Sequence, residues 1–179
     1  MPGGGKSTIG RQLARTLGLA CIDADAEIEK RVGRSVRDYF EQQGEEAFRD
    51  LEERLIAQLV LQPDCVIATG GGAVLREANR RALRDKSTVV YLRSAPEELF
   101  RRLRHDTQRP LLQVADPLRK LKELYAQRDP LYRQVAHFTF DTGRSSGAML
   151  ANMVAMQLEL SGAVKPKAGV PMPPPGKRP

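Results

Sequence analysis

Gly3-Gly4-Gly5-Lys6-Ser7-Thr8 opens the chain and leads directly into an amphipathic run. Small residues let backbone bend tightly, so successive N–H groups can converge on one anion, and a following helix adds the positive end of its dipole. In such a loop Lys6 reaches the β- and γ-phosphates of a nucleotide, Thr8 completes the turn, and the Ser7 hydroxyl ligates Mg²⁺. The full phosphate-loop pattern also places a glycine and a feeding strand upstream of Met1, so this sequence carries its second half. The plain alternative is a flexible glycine terminus. Against it, Ile9, Leu13, Thr16 and Leu17 form one face of a helix that Gly18 stops.

Two further groups have residue types suited to the same chemistry. Asp23 and Asp25 follow the short apolar run Leu19–Ile22. Alternation at a strand end puts both carboxylates on one side, one for a Mg²⁺ shell and one for a substrate hydroxyl. The competing reading is that Asp25 merely caps a helix. Gly70-Gly71-Gly72 follows the strand-like Cys65–Thr69 and is either a ligand-hugging turn or an ordinary strand-to-helix turn.

The elements that must position these groups alternate. Helical periodicity covers about 6–17, 26–32, 36–42, 45–61, 76–83, 96–104, 118–128, a short piece near Tyr132, and 147–160. Ser35 with Asp38 resembles a capping box with a shortened acid. Strands are expected at 19–22, 65–69, 88–92 and 137–140. Short apolar strands alternating with helices predict a doubly wound α/β sheet of parallel strands, whose ligands bind at the carboxyl ends of the strands. The glycine loop, the two aspartates and the triple glycine all belong at that edge.

Composition narrows the classes. A chain of 179 residues, 41% hydrophobic, suits one domain with a core. It contains no apolar window long enough to span a bilayer and no signal pattern, which predicts a cytoplasmic protein. Cys21 and Cys65 show neither CxxC nor metal spacing and read as reduced, buried thiols. The net charge of +7 raises nucleic acid as a partner. However, Lys165, Lys167, Lys177 and Arg178 lie in a Pro-rich tail, and the other arginines mix with glutamates along helices, which means solvated faces. Neither nucleic acid nor membrane is expected as a partner. Residues 161–179 are expected to be disordered. His105 and His137 are expected to pack or face water.

Four segments, in order, complete a resemblance. Gly44-Glu45 with Phe48-Arg49-Asp50-Leu51-Glu52, then Ala68-Thr69-Gly70-Gly71-Gly72-Ala73-Val74, Arg109-Pro110-Leu111-Leu112 and Arg128-Asp129-Pro130-Leu131-Tyr132 resemble the shikimate kinase family, together with the N-terminal loop. The likeness runs from Met1 to about Asp141 and weakly through the last helix. It implies a three-layer P-loop kinase fold with a sheet of about five parallel strands, whose central first strand is expected to be missing from this sequence. The domain would cover 1–160, with a substrate-binding subregion near 25–55 and a lid near 105–117.

The resemblance also implies roles. ATP is co-substrate with Mg²⁺, shikimate is the acceptor, and the protein is expected to be a monomer. Asp25 contacts the attacking 3-hydroxyl and serves as base, and Asp23 reaches Mg²⁺ through water. Arg49 and Arg128 hold the shikimate carboxylate, a task for which a guanidinium fork suits better than an ammonium. Gly70, Gly71 and Gly72 let backbone approach the ring. Arg109 on the lid stabilises charge on the phosphoryl group. Arg102 stacks on adenine, with residues 142–146 on the other face. Without the resemblance, Arg49 could simply pair with Glu45, Asp50 or Glu53, Arg128 could mark a helix stop before Pro130, and Arg102 could be a solvated surface arginine. Two rival functions are a gluconate-type P-loop kinase and a non-catalytic effector-binding domain on the same fold.

Overall fold

A computed structural model describes residues 1, 3–103, 114–143 and 145–165. Arg109, most of the expected lid and residues 166–179 of the tail lie outside the described residues.

Helix α1 (Lys6–Leu17) starts on Gly5 at φ 74° and stops on Gly18 at φ 72°, both left-handed positions that favour glycine. Strand β1 (Ala20–Asp23) runs into α2 (Ala24–Val32), and α3 (Val36–Leu59) begins on Ser35, whose hydroxyl accepts from the Asp38 amide at 3.0 Å. Within α3 the expected pair of helices, 36–42 and 45–61, is seen as two helical stretches separated at Gly44, whose φ 82° and ψ 171° are not helical. Then follow β2 (Cys65–Ala68), a short 3₁₀ turn (Ala73–Leu75), α4 (Glu77–Lys86), β3 (Val90–Arg93), α5 (Pro96–Leu103), α6 (Pro117–Val135), β4 (Phe138–Asp141) and α7 (Gly147–Leu160).

Helix α6 corrects the expectation that a helix ends at Arg128. It continues through Pro130 to Val135. An internal proline costs roughly 3 kcal/mol. Buried Leu121 and Leu124 before it and Val135 after it hold the helix to the core on both sides of the defect.

All strand pairing is parallel, as expected. β1 pairs β2, with Ala20 opposite Cys65 and Asp23 opposite Ala68. β3 pairs β4, with Val90 opposite Phe138 and Arg93 opposite Asp141. These pairs form two separate two-stranded sheets. Between them lies a cavity of about 450 Å³, lined by Val66 and Ala68 of β2, Val90 and Leu92 of β3, Ile9 and Leu13 of α1, and Met1. The facing edges of β2 and β3 therefore pair with no strand among the described residues.

Helices α1 and α7 pack through Ile9, Leu13, Leu150, Ala151 and Val154 onto Val90, Leu92, Phe138 and Phe140. Ala24, Ile28, Phe48, Leu55 and Leu59 form a second core against Ile22 and Ile67. Met1, Leu99, Leu103, Leu121 and Leu124 form a third.

Two expectations shift at the margins. Residues 161–165 close α7, with the Ala163 amide donating to the Leu158 carbonyl at 3.0 Å and Val164 packed on the α1–α7 core. The packed unit thus passes residue 160, because Val164 has an apolar surface to cover. Cys21 and Cys65 sit on β1 and β2 and are half-buried rather than buried. Burial still pushes both thiols up, and no described helix is long and apolar enough to cross a membrane.

Candidate active site

The loop ahead of α1 carries the residues expected to bind phosphate. Gly3 and Gly5 are both left-handed, at φ 70° and 74°. A Cβ on Gly3 would lie 2.6 Å from Leu103 Cδ1, so glycine is needed there for space as well as for conformation. No side chain caps α1, which leaves the first-turn amides to an anion. Lys6 Nζ donates to the Met1 carbonyl at 2.8 Å, back across the loop. Ser7 lies in the first helical turn.

Asp23 and Asp25 divide their tasks differently from the strand-alternation argument. Asp23 ends β1 and is itself the cap of α2, its Oδ1 accepting from the amides of Asp25 at 3.1 Å and Ala26 at 3.4 Å. Asp25 belongs to the first turn of α2, so a period of two does not relate them. Chain reversal into the helix brings them together instead. Burial raises the Asp25 carboxyl above its ordinary 3.8, and the Asp23 charge adds to the rise, while Lys6 and Arg49 oppose it. Asp25 thus feels Lys6 and Arg49 at once.

The residues expected to bind the acceptor gather around Gly70–Gly72. A Cβ on Gly70 would stand 2.8 Å from Asp25 Oδ1 and 2.9 Å from Glu52 Oε1, and a Cβ on Gly72 would fall within the Arg49 guanidinium. Arg49 is buried and held by Glu52 Oε2 at 2.6 Å and Glu45 Oε1 at 3.1 Å, over the rings of Phe40 and Phe48. Of the three partners considered for it, only Glu45 is used; Asp50 binds Arg76 instead. Arg128 Nη1 donates to the Gly71 carbonyl at 3.3 Å, and its buried Nε has no hydrogen-bond partner among the described residues. Two arginines, Asp25 and three glycines therefore meet at one place.

Arg102 donates to the Gly143 carbonyl at 3.0 Å and to Thr142 Oγ1 at 3.4 Å. This joins the expected base-contacting arginine to the expected opposite loop. His137 accepts from the Val89 amide through Nδ1, a structural contact.

Sequence reasoning missed Glu52 and Tyr132. Glu52 is 1 % exposed and lies three residues after Arg49, a spacing that signals a shared helix face. Tyr132 Oη donates to the Gly71 carbonyl at 2.6 Å, and its spacing of four from Arg128 carries the same signal.

Among the described residues no cluster of three or more His, Cys, Asp or Glu side chains could hold a metal ion. Mg²⁺ keeps several waters and binds through substrate phosphates with one or two protein oxygens. Ser7 and Asp23 supply oxygen donors of that kind.

Residues 2–159 match a family model described as Shikimate kinase. The shikimate kinase of Paracidovorax citrulli is 54% identical over 169 residues, covering 93% of this chain and 92% of that protein. That of Ralstonia nicotianae is 53% identical over 166 residues, covering 93% and 87%. The solved shikimate kinase of Acinetobacter baumannii in complex with shikimate superposes with a TM-score of 0.84 at 42% identity, covering 91% of this chain and 90% of that one. Sequence and fold agree over nearly the whole length, and the chain belongs to the shikimate kinase family.

Proposed function

We infer that this chain is an ATP-dependent kinase that phosphorylates shikimate on its 3-hydroxyl. The observation that carries the reading is the convergence of Arg49, Arg128 and Asp25 on the Gly70–Gly72 turn. Two buried guanidinia suit a small acceptor with a carboxylate, and a neighbouring carboxylate of raised pKa suits its hydroxyl. A sensor built on the same fold has no need of Lys6, Asp23 and Asp25 together.

The shikimate carboxylate binds the forks of Arg49 and Arg128. The three glycines bring backbone against the ring. Asp25 accepts a hydrogen bond from the 3-hydroxyl and takes its proton as that oxygen attacks the γ-phosphorus in line, while the bond from the γ-phosphorus to the bridging oxygen breaks and ADP leaves. The Gly3–Thr8 amides and Lys6 hold the ATP phosphates, and Arg102 with residues 142–143 borders the base. Ser7 and Asp23 would hold Mg²⁺, which would supply neutralisation of phosphate charge. Arg109 keeps the role that the family resemblance gives it, stabilising the transferred group. Most of this catalysis is positioning and electrostatics rather than covalent chemistry.

ADP release is measured with shikimate, with gluconate and with no acceptor. Release that depends on shikimate alone is expected, and equal release with gluconate would assign the gluconate-type activity instead.

A further inference from the structure

Tyr132 belongs to the motif that carries Arg128, yet the phosphoryl-transfer reading gives it nothing to do. Its hydroxyl sits at a junction. Oη donates to the Gly71 carbonyl at 2.6 Å, the same oxygen that Arg128 Nη1 reaches at 3.3 Å. From the other side Oη accepts from the Met1 nitrogen at 2.9 Å. The ring is fixed by stacking on Tyr91, with centroids 4.8 Å apart and planes 24° from parallel. Tyr91 is fixed in turn by donating to Asp129 Oδ1 at 2.9 Å, and Arg133 holds the other Asp129 oxygen at 2.6 Å. Burial pushes the Tyr132 phenol up to about 12 against the charge of Arg128 and a hydrogen bond with it, so it stays a donor through the neutral range.

A carbonyl at the centre of a glycine turn has no side chain to fix its direction, so its hydrogen bonds must do so. Two donors share the Gly71 oxygen, and the shorter bond belongs to the tyrosine. The arginine is left with a weak contact and an unsatisfied buried Nε.

We propose that Tyr132 is a positioning residue for the acceptor: its hydroxyl holds the Gly71 carbonyl, which sets the glycine turn and leaves the Arg128 fork free for the ligand carboxylate. This rests on the function proposed above. Without the hydroxyl, Arg128 becomes the remaining donor to Gly71 and is drawn away from the ligand.

The test is Tyr132→Phe, which keeps the ring and its stack. Shikimate and nucleotide binding are measured separately by calorimetry on the 179-residue chain, beside its thermal melt. Removing the hydroxyl is expected to weaken shikimate about tenfold. Nucleotide affinity should stay within about threefold, with the melt nearly unchanged. In an Arg128→Ala background the same change should cost much less, because the fork it frees is gone. A second variant, Tyr91→Phe, removes the Asp129 bond but not the Gly71 bond, and should lower the melt while sparing shikimate affinity. Unchanged shikimate affinity in Tyr132→Phe would overturn the proposal. So would equal losses of both ligands, or losses that simply add in the double variant. If the parent itself binds no shikimate, the proposed function fails and takes this inference with it. If the parent binds and Tyr132→Phe binds as well, only the inference fails.

Discussion

Gly72→Ala separates ligand binding from folding unusually well. Gly72 has φ −94° and ψ −6°, which alanine adopts without strain. The added methyl nevertheless falls within the Arg49 guanidinium. An arginine tip can swing aside, so the backbone need not move. Two consequences follow from that swing. The acceptor carboxylate loses its fork, and losing one partner of a buried charged pair costs about 2–5 kcal/mol. At about 1.4 kcal/mol per decade that is roughly 30-fold to several-thousand-fold in shikimate affinity. Glu52 loses its partner at 2.6 Å while 1 % exposed. Burial already raises its carboxyl above 4.5, with Arg49 opposing. Removing Arg49 lets that rise grow, so Glu52 takes up a proton on folding, and stability then falls as pH rises through the raised value. The assays are calorimetry with shikimate and with nucleotide, and melts at about pH 5 and 8. We expect shikimate binding at least 30-fold weaker, nucleotide binding within about threefold, and a melting loss larger at pH 8 than at pH 5. A folded variant with parental shikimate affinity would refute the placement of Arg49. Parallel loss of both ligands would refute the separation of the two sides.

Other predictions use the same kinds of measurement. Asp25→Asn should lower turnover by about 10²- to 10⁴-fold while nucleotide binding survives. In the parent, kcat/KM for shikimate should fall on the acid side around a pKa above 3.8, because burial and Asp23 hold the Asp25 proton on. The Met1 amino group is pushed down to about 4, chiefly by burial and then by Lys6 and Arg128. The unfolded chain binds that proton up to about pH 8 and the folded chain does not, so stability should rise with pH between these values. Acetylating Met1 should flatten that rise in a series of denaturant melts. Finally, appending about five β-branched residues ahead of Met1, enough for one strand, should raise the melting temperature by more than about 5 °C, because the cavity between β2 and β3 is largely apolar and neither facing edge pairs with a strand among the described residues. An unchanged melt would show that the cavity does not accept a strand.

Local chemistry was legible wherever it depends on neighbours in the chain. Helix α1 begins and ends on the expected residues because left-handed glycines at both ends need no tertiary help. The α/β class and the parallel sense of pairing follow from apolar runs separated by helices long enough for crossovers. The glycine loop and the triple glycine stood out by residue type and order, while Arg49 and Arg128 were paired only through the family resemblance. Other features were settled in three dimensions. Whether Arg128 ends a helix depended on Leu121, Leu124 and Val135 holding α6 down across Pro130. Which aspartate caps α2 depended on where β1 stops. Glu52 was one of several acids near Arg49, and burial alone made it the partner. The junction at Tyr132 joins residues 1, 71 and 132, which sequence spacing does not relate. The sequence by itself determined where the glycine loop, the helix stops and the apolar strands fall, because those are matters of residue type, and its likeness to a family pointed to the kind of ligand. The tertiary structure decided which side chains hold one another in the site, because burial and long-range hydrogen bonds choose among many equally polar candidates.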